Sequence, residues 1–450
     1  MKTKGAFLFL GIKRTGNRKT KRNGKSATDE GGYMKKSTKI VSGVLALVTA
    51  TGFVGCINKG ESAVALTVWV SEADKAFALE VADAFKKANP DKEYRITIDI
   101  QGENDVATRV LNDVENAADV YSFVNDQTPK LINGDALTRI AGDRLSRVQS
   151  ANTDESISSV TATINGESAV YGMPYTDNTF FLYYDKSRLT ETDVQSLDAI
   201  LEKCTDGKSF AFPFSDGWYS TAFYFGKGLG YQVVYDDDLG EKQITCEFGG
   251  ETGTAVTEAM WNYVKDARVK ADANDSKITA GFSDGSIIAG VSGIWNKSSI
   301  EKSLGENFAC AKLPTYTIHR GKASEEQVQL VSFAGYKAMG VNNYSKYKTD
   351  ALDFAEFYTN RENQIKHFEV RGFVPTDEQA RLDERVQSDV AAQAITRQLA
   401  HSRTQVDVPS TLWIPMEGLG MAMITGAKNN SFDVASQLKA CVTAIEKKEG

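Results

Sequence analysis

Hydrophobic and polar positions after residue 62 follow two spacings that alternate along the chain. Continuous or alternating runs of β-branched and aromatic residues predict strands at 63–70, 94–100 and 119–124. Between the strands, apolar residues recur about every fourth position, as from Phe77 to Phe85, which is typical of amphipathic helices. This order of elements predicts an α/β fold in which a parallel sheet carries helices on its faces.

The alternation continues to the end of the chain. The Asn165-Gly166 pair predicts a tight hairpin turn. Further strands are predicted at 180–184, 210–212, 286–291, 308–313 and 327–339, and further helices at 194–203, 254–269, 348–358 and, with breaks near Pro409 and Pro415, 391–450. Sheets of this kind bind ligands at the carboxyl ends of their strands, so the polar loops that follow the strands are candidate binding segments.

A separate apolar segment precedes the first strand. Lysines at 35, 36 and 39 are followed by the apolar run 40–52 and then by Cys56, which is the order of a secretory signal. The run is shorter than the roughly 20 residues that a membrane-spanning helix needs. The cysteine after Val54-Gly55 resembles the lipobox of bacterial lipoproteins, which implies cleavage before Cys56 and a lipid on its thiol. An ordinary signal peptide with an incidental cysteine is the alternative.

Residues 1–33 are basic and rich in glycine, and they have no apolar periodicity. Glu30-Gly31-Gly32 lies just before Met34, and codons for these residues can spell a ribosome-binding sequence. We therefore expect translation to start at Met34 and residues 1–33 to be an upstream extension outside the protein. The alternatives are a genuine basic extension of the signal and a nucleic-acid-binding arm.

Composition narrows the class of protein. Hydrophobic residues make up 41% and charged residues 25% of the chain, which is ordinary for a soluble globular protein and excludes a multi-span membrane protein. The net charge of -7 argues against nucleic acid as a partner. Cys204, Cys246, Cys310 and Cys441 form no close pair, so we expect buried thiols, with one bridge left open. The chain has three histidines, which argues against a metal-ion binder. We also expect no cofactor.

Several motifs, in this order and spacing, together carry a resemblance to a known family. They are Leu66–Trp69 with Asp74-Lys75, Ala118–Asp126, Asn165–Pro174, Leu182–Lys186, Phe282–Trp295, Leu313–Thr315 and Gly372–Thr376. This series resembles the extracellular solute-binding proteins of ABC sugar importers, in particular the maltose-binding-protein-like cluster. Phe123 and Asn178 stand where some members have tryptophan and glutamate, which leaves the particular sugar open.

The resemblance implies two α/β lobes, each a mostly parallel sheet flanked by helices, with a ligand cleft between them and three crossings of the chain. The implied division is a signal peptide at 34–55, an anchor and tether at 56–63, a first lobe at 64–174 and 327–373, and a second lobe at 178–313 and 377–450. It also implies a monomer that captures maltose or maltooligosaccharides by hinge closure and delivers them to permease subunits. Its lipid anchor would hold it on the extracytoplasmic face of a Gram-positive type membrane.

A sugar cleft needs polar groups for hydroxyls and aromatic faces for the rings. The candidate ligand-binding residues are Asp74, Lys75, Phe123, Asp126, Tyr175, Asn178, Asp216, Trp218, Tyr219, Trp295 and Trp413. No catalytic residue is among them. Trp69 ends a buried strand and is expected in the core instead.

Two alternatives stay open. Gly281–Gly285 matches the GxSxG pattern of a secreted serine hydrolase, but that pattern requires a strand before it and a helix after it, and the predicted order here is different. The second alternative is a binding protein for another oligosaccharide or small solute.

Overall fold

The computed structural model describes residues 63–164, 166–235 and 241–447. The predicted signal peptide, Cys56 and most of the tether lie outside these residues, as does the extension at 1–33. Among the residues described, no helix is both long and apolar enough to cross a bilayer.

The strands are β1 (Val64–Val70), β2 (Tyr94–Ile100), β3 (Val120–Val124), β4 (Thr161–Ile164), β5 (Glu167–Val170), β6 (Met173–Asn178), β7 (Phe180–Asp185), β8 (Ser209–Ala211), β9 (Tyr231–Tyr235), β10 (Glu241–Cys246), β11 (Val269–Lys270), β12 (Ile287–Gly293), β13 (Phe308–Ala311), β14 (Thr315–Ile318), β15 (Glu326–Gln329), β16 (Ser332–Val341), β17 (Val374–Pro375) and β18 (Ser402–Thr404).

The α-helices are α1 (Lys75–Ala88), α2 (Val106–Asn112), α3 (Thr128–Asn133), α4 (Gly142–Ala151), α5 (Asp154–Ser158), α6 (Leu197–Lys203), α7 (Gly217–Gly226), α8 (Gly250–Val264), α9 (Asp275–Ser283), α10 (Lys297–Leu304), α11 (Lys348–Tyr358), α12 (Arg361–Arg371), α13 (Glu384–Gln387), α14 (Val390–Leu399), α15 (Trp413–Asn429) and α16 (Val434–Ile445).

Two sheets organise these elements. The first has the order β17-β6-β16-β3-β1-β2, with β18 also paired to β16, and the second has the order β11-β8-β12-β7-β13. The core of the first sheet includes α1 and α11. The second sheet has a buried core on each face, one with α7, α8, α15 and α16 and the other with α9, α10 and α14. The α/β class and the predicted hairpin, in which Ile164 pairs with Glu167, are confirmed.

Both sheets are mixed, which corrects the expectation of mostly parallel sheets. In the first sheet β1 pairs parallel to β2 and β3, but β16 is antiparallel to both β3 and β6. In the second, β7 is antiparallel to β12 and β13. Parallel pairing is predicted only for strands that are joined through a helix, such as β1, β2 and β3. Strands β6, β7 and β16 join the sheets from distant parts of the chain, so the strand–helix order does not predict their direction.

The predicted break at Pro415 does not occur. Pro415 lies in the first turn of α15, where its missing N–H has no helical acceptor to lose. Helix α15 therefore begins at Trp413, one of the candidate residues.

Candidate functional site

A cleft of about 1000 Å³ opens between the strand ends of the two sheets. One wall comes from the first sheet: Ser71 follows β1, Glu103 follows β2, and Asp126 follows β3. The opposite wall comes from the segment before α7, the start of α9, the segment after β12, and the start of α15. The carboxyl ends of several parallel strands therefore meet at one cavity, which is where α/β sheets place their ligand sites.

Three tryptophans give the second wall its aromatic character. Trp218 lies in the first turn of α7, and its ring centroid is 5.8 Å from that of Trp295, at an interplanar angle of 40°. Trp413 packs edge-on against Phe333, with 5.7 Å between the ring centroids. Trp295 is 39% exposed, which makes it an open ring face in the cleft. Such faces stack on the apolar sides of sugar rings.

Asp275 holds the Trp295 ring in place. Its Oδ2 accepts a hydrogen bond from Trp295 Nε1 at 2.9 Å. Its Oδ1 accepts from Ser292 Oγ at 2.9 Å and from Asn296 Nδ2 at 2.8 Å. Because this carboxylate is fixed by two further partners, the indole ring is oriented before any ligand arrives.

The first wall is charged. Lys337 Nζ lies 2.7 Å from Glu103 Oε2, and the two side chains are 8% and 13% exposed. Lys337 also lies over the Phe373 ring at 4.3 Å from its centroid, and Arg371 lies over the same ring at 5.6 Å. This wall thus offers both carboxylate acceptors and cationic donors to hydroxyl groups.

The buried carboxylate of Asp74 binds the guanidinium group of Arg371. Asp74 is 0% exposed, and its Oδ1 accepts from Arg371 Nε at 2.8 Å and lies 3.1 Å from His367 Nε2. Burial alone would raise the pKa of Asp74, but the hydrogen bond from His367 and the charges of Lys337 and Arg371 hold it well below its usual range. Burial lowers the pKa of His367, although the hydrogen bond to Asp74 and the charge of Asp74 oppose this shift.

Gln405 joins the two walls. Its Nε2 donates to Asp126 Oδ2 at 3.1 Å, and its Oε1 accepts from Trp218 Nε1 at 2.9 Å. The main chain of Gln405 is tied to the first sheet, because its C=O accepts from Asn125 Nδ2 at 2.6 Å and its N–H donates to Ala334 O at 2.8 Å. The second oxygen of Asp126, Oδ1, is buried and has no partner in the structure.

Most of the candidate residues from the sequence come together in this cleft. Asp126, Asn178, Asp216, Trp218, Tyr219, Trp295 and Trp413 all line it. Asp216 also caps α7, where its Oδ1 accepts from Trp218 N at 2.9 Å. Desolvation and the nearby charges of Asp275 and Glu417 raise the pKa of Asp216.

Four candidates do not line the cleft. Phe123 and Tyr175 belong to the buried core of the first sheet, at 0% and 1% exposure, because they occupy inward positions of β3 and β6. Asp74 is buried under Arg371 and reaches the cleft only through that side chain. Lys75 is exposed at the start of α1 and is not part of the cavity wall. These four residues therefore lie outside the cavity wall.

Sequence reasoning missed Lys337, Arg371, Gln405, Asp275 and Glu417, all of which line the cleft. One signal was available: Lys337 is the single charged residue in the otherwise apolar strand β16. A lysine at such a position needs a partner, because an unpaired buried charge is costly. Arg371, Asp275 and Glu417 lie in helices, and Gln405 directly follows β18. The spacing of these four residues in the sequence does not mark them.

The GxSxG segment has the wrong context for a nucleophile elbow. Ser283 is the last residue of α9, and β12 follows it, so a helix comes before and a strand after. The elbow needs the opposite order. Cys204, Cys246, Cys310 and Cys441 are all free thiols.

Burial raises the pKa of Asp126 to about 6, although the hydrogen bond from Gln405 opposes this shift. An acid whose pKa is higher in the folded than in the unfolded protein destabilises the fold once it ionises. This cost is absent below the unfolded pKa near 4, grows between pH 4 and 6, and is complete above pH 6.

We therefore expect Asp126→Asn to stabilise the protein at pH 7.5 by roughly 2 to 3 kcal/mol, because it removes the buried charge and keeps an acceptor for Gln405. At pH 4 the same variant should match the parent protein. Urea unfolding at both pH values measures the difference. An equal effect at the two pH values would show that the charge of Asp126 is not its source.

The cleft lies between the two sheets of an α/β fold, and its walls are polar and aromatic. A cleft of this kind is typical of a protein that binds a soluble ligand. A family model described as bacterial extracellular solute-binding protein matches residues 80–394. The chain belongs to this family, whose members are components of transport and not enzymes.

Two curated relatives and one solved structure are similar to the chain. A maltooligosaccharide ABC transporter solute-binding lipoprotein of Streptococcus pneumoniae is 26% identical over 394 residues, which cover 84% of this chain and 86% of that protein. A galactooligosaccharide-binding protein of Bacillus subtilis is 26% identical over 291 residues, which cover 62% of this chain and 66% of that protein. A solved structure with acarbose has a TM-score of 0.74 and 32% identity, and covers 85% of this chain and 99% of that one.

Proposed function

We propose that this protein is the substrate-binding component of an ABC importer and captures maltose or maltooligosaccharides in the cleft between its sheets. The observation that carries the proposal is the pairing of a wall of three tryptophans, Trp218, Trp295 and Trp413, with a wall of carboxylates and cations. Sugar rings stack on aromatic faces while their hydroxyls bond to charged groups. The name of the streptococcal relative supports the same ligand class.

The binding step requires no covalent chemistry. A sugar that touches both walls stabilises the arrangement in which the walls are close, and its differential contacts shift the population toward that arrangement. We assign the first lobe to 64–174 and 327–373 and the second to 178–313 and 377–450, with the chain crossing between them near 174–177, 313–326 and 374–377. Closure of the lobes would then be the state that the permease recognises.

The finer parts of the proposal concern location and assembly. We propose that Cys56 carries the lipid, that residues 56–63 form the tether, and that the protein works as a monomer on the outer face of a Gram-positive type membrane. The description of a relative as a lipoprotein supports the anchor. A receptor without an outer membrane around it needs such an anchor to stay near its permease.

A panel of sugars tests the ligand. We expect maltooligosaccharides to change the intrinsic fluorescence of the purified protein, because three of its five tryptophans line the cleft. Replacing Trp413 with alanine should weaken binding by more than about 1 kcal/mol, the size of a lost stacking contact. Calorimetric titration measures both affinities.

Galactooligosaccharides form the second arm of this panel, because the Bacillus relative is named for them. Tighter binding of that series than of maltooligosaccharides would replace the proposed ligand and leave the binding role intact. Release of shorter sugars during incubation would contradict the binding role itself.

A further inference from the structure

Gln405 lines the cleft but is almost fully buried, at 5% exposure. Its main chain is fixed to the first sheet, because its N–H donates to Ala334 O at 2.8 Å and its C=O accepts from Asn125 Nδ2 at 2.6 Å. Two positions earlier, Arg403 Nη2 donates to Tyr231 O at 3.0 Å, and its guanidinium lies over the Tyr231 ring at 4.4 Å from the centroid. The position from which the Gln405 side chain extends is therefore fixed.

The two partners of this side chain require an amide. The indole Nε1 of Trp218 can only donate a hydrogen bond, and an ionised carboxylate such as that of Asp126 can only accept one. A group that joins them must accept at one end and donate at the other. Gln405 does so, since its Oε1 accepts from Trp218 at 2.9 Å and its Nε2 donates to Asp126 Oδ2 at 3.1 Å. Asp126 thus determines which end of the amide faces Trp218.

The hydrogen bond adds direction to the aromatic contacts of Trp218. Phe180 contacts the Trp218 ring edge-on at 4.7 Å between centroids, and Trp295 lies at 5.8 Å. Ring contacts of this kind tolerate a range of tilts, whereas the single N–H of an indole points in one direction within the ring plane. An N–H that loses its acceptor away from bulk water is costly, so the ring would turn toward water or toward a ligand hydroxyl. Gln405 therefore selects one orientation of this ring.

We propose that Gln405 is a positioning residue of the oligosaccharide site, whose Oε1 holds the Trp218 ring in the orientation on which a sugar ring stacks. The proposal rests on the proposed function, because it concerns the same cleft. Gln405 contributes to affinity through Trp218 and not through a contact of its own with the sugar. A side chain anchored to the first sheet in this way orients an aromatic ring of the opposite wall.

The ligand-free protein tests the orientation of the ring. Isotope labelling of the five tryptophans gives one indole N–H signal for each in an NMR spectrum, and Trp218→Phe identifies the Trp218 signal by its disappearance. Gln405→Met keeps a side chain of similar length and removes both hydrogen bonds, so we expect the Trp218 signal to move upfield. Gln393→Met is the matched control, because the Gln393 amide also donates a hydrogen bond but is exposed on α14. It should leave the Trp218 signal in place.

Binding tests the consequence for affinity. Calorimetric titration with maltooligosaccharides and galactooligosaccharides would compare the parent protein, Gln405→Met, Trp218→Phe and the double variant, each shown to be folded by thermal unfolding. We expect Gln405→Met to weaken binding roughly fivefold, the size of one lost hydrogen bond. In the Trp218→Phe background the ring has no N–H, so the same substitution should weaken binding by less than about twofold. If Gln405→Met does not fold, Gln405→Leu takes its place.

The outcomes separate a positioning role from other roles. An equal loss in both backgrounds would mean that Gln405 acts on the sugar directly or on the fold as a whole. An unmoved Trp218 signal in folded Gln405→Met would mean that the ring keeps its orientation without the hydrogen bond. Either result overturns this inference alone, whereas failure of the parent protein to bind either sugar series overturns the proposed function and this inference with it.

Discussion

Replacing Asp74 with alanine is expected to lower the free energy of unfolding by about 3 to 5 kcal/mol, the usual cost of breaking a buried ion pair from one side. Asp74 is 0% exposed, and Ser71 Oγ donates to its Oδ2 at 2.9 Å while Arg371 and His367 bond to its Oδ1. Its loss leaves the Arg371 guanidinium and the buried His367 ring without an acceptor. The residue also ties α12 to the start of α1, two elements nearly 300 positions apart in the sequence.

Urea unfolding at pH 7 measures this loss, and Asp83→Ala is its matched control. Asp83 also pairs with a cation, Lys86 at 3.2 Å, but its side chain is 68% exposed, so its removal should cost well under about 1 kcal/mol. Because the pKa of Asp74 is held below its usual range, its stabilising effect is present at neutral pH and is lost only as the pH falls through that lowered pKa. Similar losses in the two variants would contradict the buried role of Asp74.

Asp74 also shows where sequence reasoning fails. An acidic residue at a helix start, just after a strand, has the pattern of a ligand-facing carboxylate. The pattern does not contain His367 and Arg371, which close over Asp74 from the far end of the chain. Phe123 and Tyr175 are buried for a related reason: both are strand residues, and the sequence does not show which distant elements cover them. Tyr175, for example, is covered by Tyr358 and His367, whose ring centroids lie 5.6 and 5.3 Å from its own.

The three tryptophans of the cleft could be predicted because their local context was informative. Trp218, Trp295 and Trp413 each lie where a loop leads into a helix, and a large aromatic residue at such a place is seldom needed for the core. The strand–helix order gave the α/β class for the same reason, since it depends on local periodicity. Strand direction in the sheets depends on distant pairings, so β7 and β16 could not be oriented from the sequence.

Local sequence patterns do not predict the contacts that link the two walls of the cleft. Gln405 is an ordinary polar residue in a short connection, and its partners Asp126 and Trp218 lie 279 and 187 positions away. Asp275 has the spacing of a residue in the first turn of a helix, where acids are common. Its hydrogen bond to Trp295 appears only when α9 and β12 pack side by side.

Replacing Trp295 with alanine is expected to weaken oligosaccharide binding by about 2 kcal/mol, or roughly 30-fold, which is the range of an aromatic hot spot. Of the side chains in the cleft it combines the largest open ring face with a fixed orientation, since 39% of it is exposed and Asp275 holds its Nε1. Its exposure also means that the substitution removes little from the core, so the loss should fall on binding and not on stability.

Calorimetric titration with the tightest-binding maltooligosaccharide measures this effect, and Trp261→Ala provides the control. Trp261 packs against Phe432 on the outer helix α8, at 5.1 Å between ring centroids, and does not line the cleft. Its removal should leave the affinity unchanged. Asp275→Asn adds a test of orientation: the amide keeps its size but cannot accept at both positions, so it should weaken binding by less than Trp295→Ala does. Equal affinities in Trp295→Ala and Trp261→Ala would mean that the sugar does not stack on Trp295.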